Sequence, residues 1–258
     1  MKENRFNGKG SYYAKQRPSY PTEFIDYLYD EIGMTAESVI ADIGAGTGKL
    51  TKLLLERGST VYAVEPNNEM RARAEADLGS FANFFSLKSR AEETLLDDNS
   101  VDYVTVATAF HWFDRESFRA ECRRILRAAG KVVIVYNSRV EDSDIVKALY
   151  RVNEKFSPAF SGFVGSGNLL RPENAGHFRD FFGGDYVTKI IPNDLVYDET
   201  SFVGRCLSSS YALTENDENY PEYVQALKQL FQEYSRDNRL IMPNVTHSYI
   251  GEIAFFEP

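Results

Sequence analysis

The sequence predicts an α/β fold built around a doubly wound, mostly parallel sheet. Short apolar runs alternate with amphipathic helical patterns between residues 38 and 137, and a glycine-rich turn joins the first run to its helix. This alternation is typical of βαβ units, because parallel strands that are neighbours need a crossover helix between them. The pattern places strands at 38–44, 59–65, 83–89, 101–108 and 131–137, and helices at 47–58, 67–79 and 115–130.

An amphipathic helix at 21–33 precedes this series, and the regular pattern loosens after residue 140. Amphipathic spacing there predicts a helical cap, and late apolar runs predict the last sheet strands. We therefore expect one continuous domain in three parts. These are a lid and helix at 1–34, a ligand-binding core at 35–140, and a cap with the final strands at 141–258, including helices at 142–156 and 221–234 and strands at 186–197 and 245–256.

The composition limits the partners. A net charge of −9, with no Lys/Arg-rich run, disfavours a nucleic-acid partner. No run of 18 apolar residues occurs and the amino terminus has no apolar leader, so we expect a soluble, cytoplasmic protein without a membrane partner. Cys122 and Cys206 stand alone, which predicts no structural metal site. Nothing in the sequence indicates an oligomeric state.

The segment "ADIGAGTG" at 41–48 is the most informative motif. Glycines at a strand end allow a tight turn and let a ligand approach the backbone beside a helix N-terminus. Glu65 ends the next strand, 21 residues after Gly44, where a carboxylate can accept both hydroxyls of a ribose. The glycines alone also fit an ordinary strand-to-helix turn, but together with Glu65 they favour ribose binding.

The glycine spacing bears on the kind of nucleotide. It is GxGxG, whereas dinucleotide-binding folds favour GxGxxG, and the loop is too short for a GxxxxGK[ST] phosphate cradle. The loop therefore predicts a nucleoside ligand without a diphosphate.

The motifs resemble those of class I S-adenosylmethionine-dependent methyltransferases over residues 35 to 137. "VIADIGAGTGKLT", "VYAVEPNNEM", "SRAEETLLDDNSVDYVTVATAFHWFD" and "ILRAAGKVVIV" follow in the same order. "YYAKQRPSYP" and "AFHWF" are similar to a small-molecule branch that includes enzymes like trans-aconitate methyltransferase. The resemblance implies a seven-stranded Rossmann-like sheet, S-adenosyl-L-methionine as cofactor, and a small-molecule substrate.

The resemblance also implies site residues. Asp42 is expected to hold the loop or to contact the cofactor through water, and Tyr13 and Arg17 to lie on a closing lid, although "QRPSY" also fits a surface turn. The implied contacts are the cofactor's amino acid and sugar for Gly44, Ala45 and Gly46, the ribose for Glu65, the adenosine for Pro66 and Asn67, the adenine edge for Ala91 and Glu92, and the methionine part for Thr108 and Ala109.

The segment "AFHWFD" follows the fourth strand and is expected to lie at the border of the methyl-transfer zone. His111 is the catalytic candidate: it could accept a proton or bond a substrate oxygen, or it could brace the next helix. Phe110, Trp112 and Tyr20 are expected to form walls of the substrate pocket, with packing the favoured role for Trp112. Asp114 is expected to be the N-cap of the next helix.

The resemblance therefore implies a methyltransferase that transfers a methyl group by in-line displacement to a small molecule, at a carboxylate or hydroxyl group. Two alternatives stay open. One is a non-catalytic S-adenosylmethionine-binding module, because the displacement needs no indispensable side chain. The other is an NAD-type oxidoreductase, which the GxGxG spacing disfavours.

Overall fold

A computed structural model describes residues 19–163, 176–209 and 211–254. Within them, seven strands form one sheet in the order β3-β2-β1-β4-β5-β9-β6. Strands β1 to β5 are parallel, and β9 runs antiparallel to both β5 and β6. The predicted doubly wound, mostly parallel, seven-stranded sheet is confirmed. The strands are β1 (Val39–Ile43), β2 (Thr60–Val64), β3 (Phe84–Leu87), β4 (Val101–Ala107), β5 (Leu126–Arg139), β6 (Val187–Pro192) and β9 (Asn244–Gly251).

The central strands are apolar without alternation because helices cover both faces of the sheet. On β5, Val132 to Tyr136 are each 0% exposed. One face carries the helices α1, α2 and α3, and the other carries α4 and α6. Their bounds are α1 (Thr22–Asp30), α2 (Lys49–Leu55), α3 (Asn68–Leu78), α4 (Arg115–Ile125) and α6 (Gly176–Phe182).

The junction of α4 and β5 corrects a sequence prediction. The helix expected at 115–130 ends at Ile125, and the strand expected at 131–137 already begins at Leu126. Gly130 does not end the helix. It lies inside the strand, where a Cβ would meet the carbonyl oxygen of Arg127 at 2.9 Å and that of Asp102 at 3.0 Å. This glycine therefore serves a close backbone approach beside an irregularity in the β4–β5 register.

Part of the chain after β5 forms a cap with its own hydrophobic cluster. The cluster is built from three helices and a two-stranded sheet, and it is separate from the two cores on the faces of the large sheet. Inside it, the Tyr223 hydroxyl donates to Asn153 Oδ1 at 2.7 Å. Its elements are α5 (Asp144–Phe156), β7 (Leu195–Tyr197), α7 (Glu199–Leu207), α8 (Tyr220–Tyr234) and β8 (Leu240–Met242).

The helices expected at 142–156 and 221–234 correspond to α5 and α8, and the expected last strand corresponds to β9. Helices α6 and α7 and strand β8 had no counterpart in the sequence prediction. None of the helices in the described residues is long and apolar enough to cross a bilayer. The domain boundaries at residues 34 and 140 stay predictions.

Candidate functional site

The candidate site lies at the carboxyl ends of β1, β2 and β4, where the strand order reverses direction. The turn after β1 needs glycine for two reasons. Gly44 and Gly46 have φ angles of 68° and 60°, which side chains disfavour. A Cβ on Gly44 would also lie 2.7 Å from the Cβ of Ala109, which follows β4. The loop therefore sits directly against the β4 end, with no room for a side chain at Gly44.

Asp42 is fully buried beneath this loop. Its carboxylate accepts hydrogen bonds from the Thr51 hydroxyl at 2.5 Å and from the Thr105 hydroxyl at 2.8 Å. Burial raises the pKa of the Asp42 carboxyl, and the two hydroxyl donors oppose that rise. These bonds tie the end of β1 to α2 and to β4. The geometry thus supports the loop-holding role for Asp42.

Glu65 binds the loop from the end of β2. Its Oε2 accepts from the backbone N–H of Gly46 at 2.9 Å, and its Oε1 accepts from that of Asn67 at 2.8 Å. Burial raises the pKa of the Glu65 carboxyl, and both backbone donors oppose the rise. Since each carboxylate oxygen has two lone pairs, acceptor capacity remains for a ribose. The buried carboxylate and the close glycine turn together fit an adenosine-type group.

The remaining residues predicted to meet the adenosine surround Glu65 or lie across the sheet end. Pro66 and Ala45 are partly buried, while Asn67 is buried and accepts the Met70 N–H as the N-cap of α3. Ala91 is buried, and Glu92 Oε1 accepts the backbone N–H of Asp114 at 2.9 Å. Their contacts with a cofactor stay predictions.

The end of β4 turns sharply. Thr108 has a φ of 56°, a left-handed conformation that is unusual for a β-branched residue, and its N–H donates to the carbonyl of Val135 at 2.8 Å. Its hydroxyl lies 3.2 Å from that of Tyr20, which is 9% exposed. The backbone strain at Thr108 is typical of a functional turn. Tyr13 and Arg17, the predicted lid residues, lie outside the described residues.

The segment "FHW" forms a short 3₁₀ helix, Phe110–Trp112, and Asp114 caps the following helix by accepting the Ser117 N–H at 3.0 Å. That N-cap was predicted and is confirmed. His111 and Trp112 are partly buried, with ring centroids 4.7 Å apart. Phe110 is 0% exposed, and its ring contacts Phe181, Phe178 and Phe118. Its contacts support a packing role beneath the site, and its place in the substrate pocket stays a prediction.

Tyr136 was absent from the sequence prediction. It occupies the β5 position level with Thr108, since Val135 pairs with Ala107. Its ring centroid lies 6.1 Å from that of His111, and burial raises the pKa of its phenol. The only sequence signal is a tyrosine near the end of an apolar strand, which is not distinctive. In the part of the chain that the structure describes, no cluster of three His, Cys, Asp or Glu could hold a metal ion.

Part of the chain is similar to known methyltransferases. Residues 41–134 match the model of a methyltransferase domain. A Mycobacterium tuberculosis protein named as an uncharacterized methyltransferase is 44% identical over 137 residues, which are 53% of this chain and 54% of that protein. A methyltransferase-like protein of Schizosaccharomyces pombe is 30% identical over 59% of both chains. The chain thus spans about half the length of the curated relatives it matches.

Solved structures show the same architecture over almost the whole chain. A candidate type II methyltransferase from Anaeromyxobacter dehalogenans aligns with a TM-score of 0.63 and 21% identity, over 92% of this chain and 98% of that one. A candidate methyltransferase of an antibiotic biosynthesis pathway in Anabaena variabilis aligns at 0.57 and 21% identity, over 90% and 99%. At this identity the likeness concerns the fold. Residues 41–134 of the chain therefore resemble a methyltransferase domain, and the chain shares its fold with these solved candidate methyltransferases.

Proposed function

We propose that the protein transfers a methyl group from S-adenosyl-L-methionine to a small-molecule acceptor. One observation carries the proposal: the buried Glu65 carboxylate holds the backbone N–H groups of Gly46 and Asn67. In this position Glu65 would accept hydrogen bonds from a ribose, beside a turn that has no side chain at Gly44. The methyltransferase domain that matches over 41–134 supports the same reading.

The chain's own residues then position the reactants. S-adenosylmethionine, when bound, supplies a methyl group on a positively charged sulfur, and in-line displacement from it depends mainly on alignment and exclusion of water. Thr108 and Ala109 border the site at the end of β4, opposite the glycine turn. Tyr20, whose hydroxyl lies 3.2 Å from that of Thr108, and the partly buried Trp112 would form the walls that exclude water from the same end of the sheet.

His111 is the group proposed to act on the acceptor. It would accept the proton of a hydroxyl, or donate a hydrogen bond that orients a carboxylate. A carboxylate needs positioning alone, because it reaches the site already deprotonated. The proposed acceptor atom is a carboxylate or hydroxyl oxygen. The likeness of "YYAKQRPSYP" and "AFHWF" to the branch with trans-aconitate methyltransferase remains a prediction.

Calorimetry tests the cofactor assignment. S-adenosylmethionine and S-adenosylhomocysteine should bind, and NAD should give no heat. Removing the ribose acceptor with Glu65→Ala should weaken binding about 10- to 100-fold, the value of charged hydrogen bonds of about 1.5–3 kcal/mol. Glu37→Ala is the matched control, because Glu37 is exposed before β1, at the opposite end of the sheet. Equal affinity in the two variants would show that Glu65 is not the ribose ligand.

Turnover separates the enzyme from a non-catalytic binding module. Formation of S-adenosylhomocysteine should be measured with a panel of small acids, phenols and amines. His111→Ala should lose turnover and keep cofactor affinity, whereas His177→Ala on α6 should keep both. Cofactor binding without turnover on any acceptor would favour the binding module, and lost affinity in His111→Ala would assign the side chain to packing.

A further inference from the structure

Two arginines meet where the sheet joins the cap. Arg139 is the last residue of β5, and Arg205 lies on α7 of the cap. Both are partly buried. The Arg139 guanidinium lies 4.7 Å from the centre of the Phe163 ring, and Arg205 donates to the Ser208 hydroxyl at 3.3 Å. Neither residue has a role in the fold or the site described above.

Among the described residues, the charges of these two arginines have no acidic partner. Within residues 19–163, 176–209 and 211–254, no carboxylate lies within ion-pair distance of Arg139 or Arg205. Burial lowers the pKa of Arg139, and the positive charge of Arg205 lowers it further. Bringing two cations together in a partly buried place is costly without an anion.

The surroundings are aromatic and shaped by the cap. Tyr197 on β7 lies close to both arginines, whose charges oppose the rise in pKa that burial imposes on its phenol. Tyr211 lies near Arg139. The Phe163 ring covers one face of the Arg139 guanidinium, so the N–H groups at its edge stay accessible for hydrogen bonds. The N–H edge of a guanidinium group that lies over an aromatic ring matches the geometry of a carboxylate, and Arg205 adds a second positive charge beside it.

This cluster lies on the ligand side of the sheet. Val135 pairs with Ala107, so Tyr136 is level with Thr108, and Arg139 follows three residues later. Three residues of strand cover about 10 Å at roughly 3.3 Å each. A small molecule could therefore reach from the arginines to the proposed methyl-transfer zone.

We propose that Arg139 and Arg205 form a subsite that binds a carboxylate group of the methyl acceptor. The inference rests on the proposed function and specifies its substrate class: an organic acid, held by the cap while its reactive part faces Thr108 and His111. It also explains how a chain with a net charge of −9 attracts an anion, since the two guanidinium groups supply positive charge at this one place.

Binding by matched acids and amides tests the subsite. The probes are trans-cinnamate, benzoate and succinate, each paired with its uncharged amide, titrated calorimetrically into full-length protein loaded with S-adenosylhomocysteine. At least one acid should bind and its amide should bind far more weakly. Arg139→Met and Arg205→Met should each weaken binding of that acid about 10- to 100-fold, the value of a charge-assisted hydrogen-bond pair. Arg205→Lys should recover part of the loss.

Arg151→Met is the matched control, because Arg151 is an exposed arginine on α5 of the same cap, and it should bind like the wild type. Urea unfolding of each variant checks the fold; if a methionine variant does not fold, Arg139→Lys and Arg205→Gln take its place. The proposal is overturned if no acid binds, if acids and amides bind alike, or if the arginine variants bind like Arg151→Met. S-adenosylhomocysteine binding, measured in parallel, separates these results from a failure of the proposed function, which would abolish that binding as well.

Discussion

The end of the sheet and the cap are built on different principles. At the sheet end, backbone conformation sets the site: Gly44, Gly46 and Thr108 all have positive φ angles, and buried carboxylates fix the loop between them. In the cap, helices pack around a hydrophobic cluster that includes Phe202 and Leu227. The match to the methyltransferase domain stops at residue 134, before the cap begins.

This contrast indicates which region can bind the cofactor and which can select the methyl acceptor. Cofactor contacts need backbone groups at precise places, and few sequences provide them, so the sheet end carries recognisable motifs. A cap that encloses a substrate needs only a packed body with a few polar groups facing inward. Many sequences meet that requirement. Cofactor binding and acceptor choice should then respond separately to mutation, and the following predictions test that separation.

The largest effect is expected at Gly44. Gly44→Ala adds a Cβ 2.7 Å from Ala109 and 3.2 Å from the Phe113 ring, in a left-handed conformation. Together the backbone conformation and the overlap should cost about 2–5 kcal/mol of unfolding free energy. S-adenosylhomocysteine binding should be lost in calorimetry, because the loop can no longer approach the β4 end.

Gly46→Ala is the matched control for stability. Its φ of 60° is similar, but its nearest neighbour to an added Cβ is Met70 Sδ, at 3.8 Å. It should therefore cost only the conformational part, about 1–2 kcal/mol. If the two variants unfold at the same urea concentration, close approach to β4 is not what requires glycine at position 44.

The same contrast explains what the sequence could predict. The apolar runs of β1, β2 and β4 and the "GAGTG" turn are local patterns, and the structure places strands and a glycine turn there. The Asp114 cap is equally local, since an N-cap acts on residues within its own first turn. Glu65 could be singled out because its position relative to the turn is fixed by one βαβ unit.

Other features depend on contacts between distant residues. Helix α6 is short, and its Phe178 packs on Tyr249 of β9 at a ring distance of 3.7 Å, a contact made only after the chain end joins the sheet. Gly130 resembled a helix stop because its strand contacts with Asp102 cannot be seen locally. Arg139 and Arg205 lie far apart in sequence and meet only through the packing of the cap.

In the cap, the next largest effect is expected at Tyr223. Its buried hydroxyl donates to Asn153 Oδ1, so Tyr223→Phe leaves a buried acceptor without that partner. The cost should be about 1–3 kcal/mol of unfolding free energy. Cofactor affinity should be unchanged, since the cap cluster is separate from the sheet cores. Tyr234→Phe, partly buried on the same helix, should change stability by less than about 0.5 kcal/mol. Loss of cofactor binding in Tyr223→Phe would show that the cap and the sheet end respond together.

A smaller effect is expected from the N-cap residues of two helices, Asp114 of α4 at the sheet end and Asp198 of α7 in the cap region. Asp114→Ala removes the acceptor for the Ser117 N–H and should cost about 1 kcal/mol. It should also weaken cofactor binding, because Asp114 directly follows the "FHWF" segment and its side chain fixes the first turn of α4 beside that segment. Asp198→Ala removes the corresponding cap of α7 and should leave cofactor affinity unchanged. Equal affinity in both variants would mean that the 3₁₀ segment holds its place without the α4 cap.

The smallest effect is expected in the pH dependence of stability at the sheet end. Burial raises the pKa of Asp42 above its ordinary value of 3.8, while the Thr51 and Thr105 hydroxyls offset part of that cost. The folded protein therefore holds this proton more tightly than the unfolded chain does. Its contribution to stability is complete below the unfolded pKa and is lost as the pH rises toward the folded pKa.

Urea unfolding of wild type and Asp42→Asn between about pH 4 and 7 should show wild type losing stability relative to the variant as the pH rises. Glu65, whose pKa is raised in the same direction, is present in both proteins and cancels in the comparison. The opposite result would be a free energy of unfolding of wild type that rises with pH relative to that of Asp42→Asn. It would mean that the two hydroxyl donors more than compensate for burial, so that Asp42 ties β1 to β4 as a stabilising carboxylate.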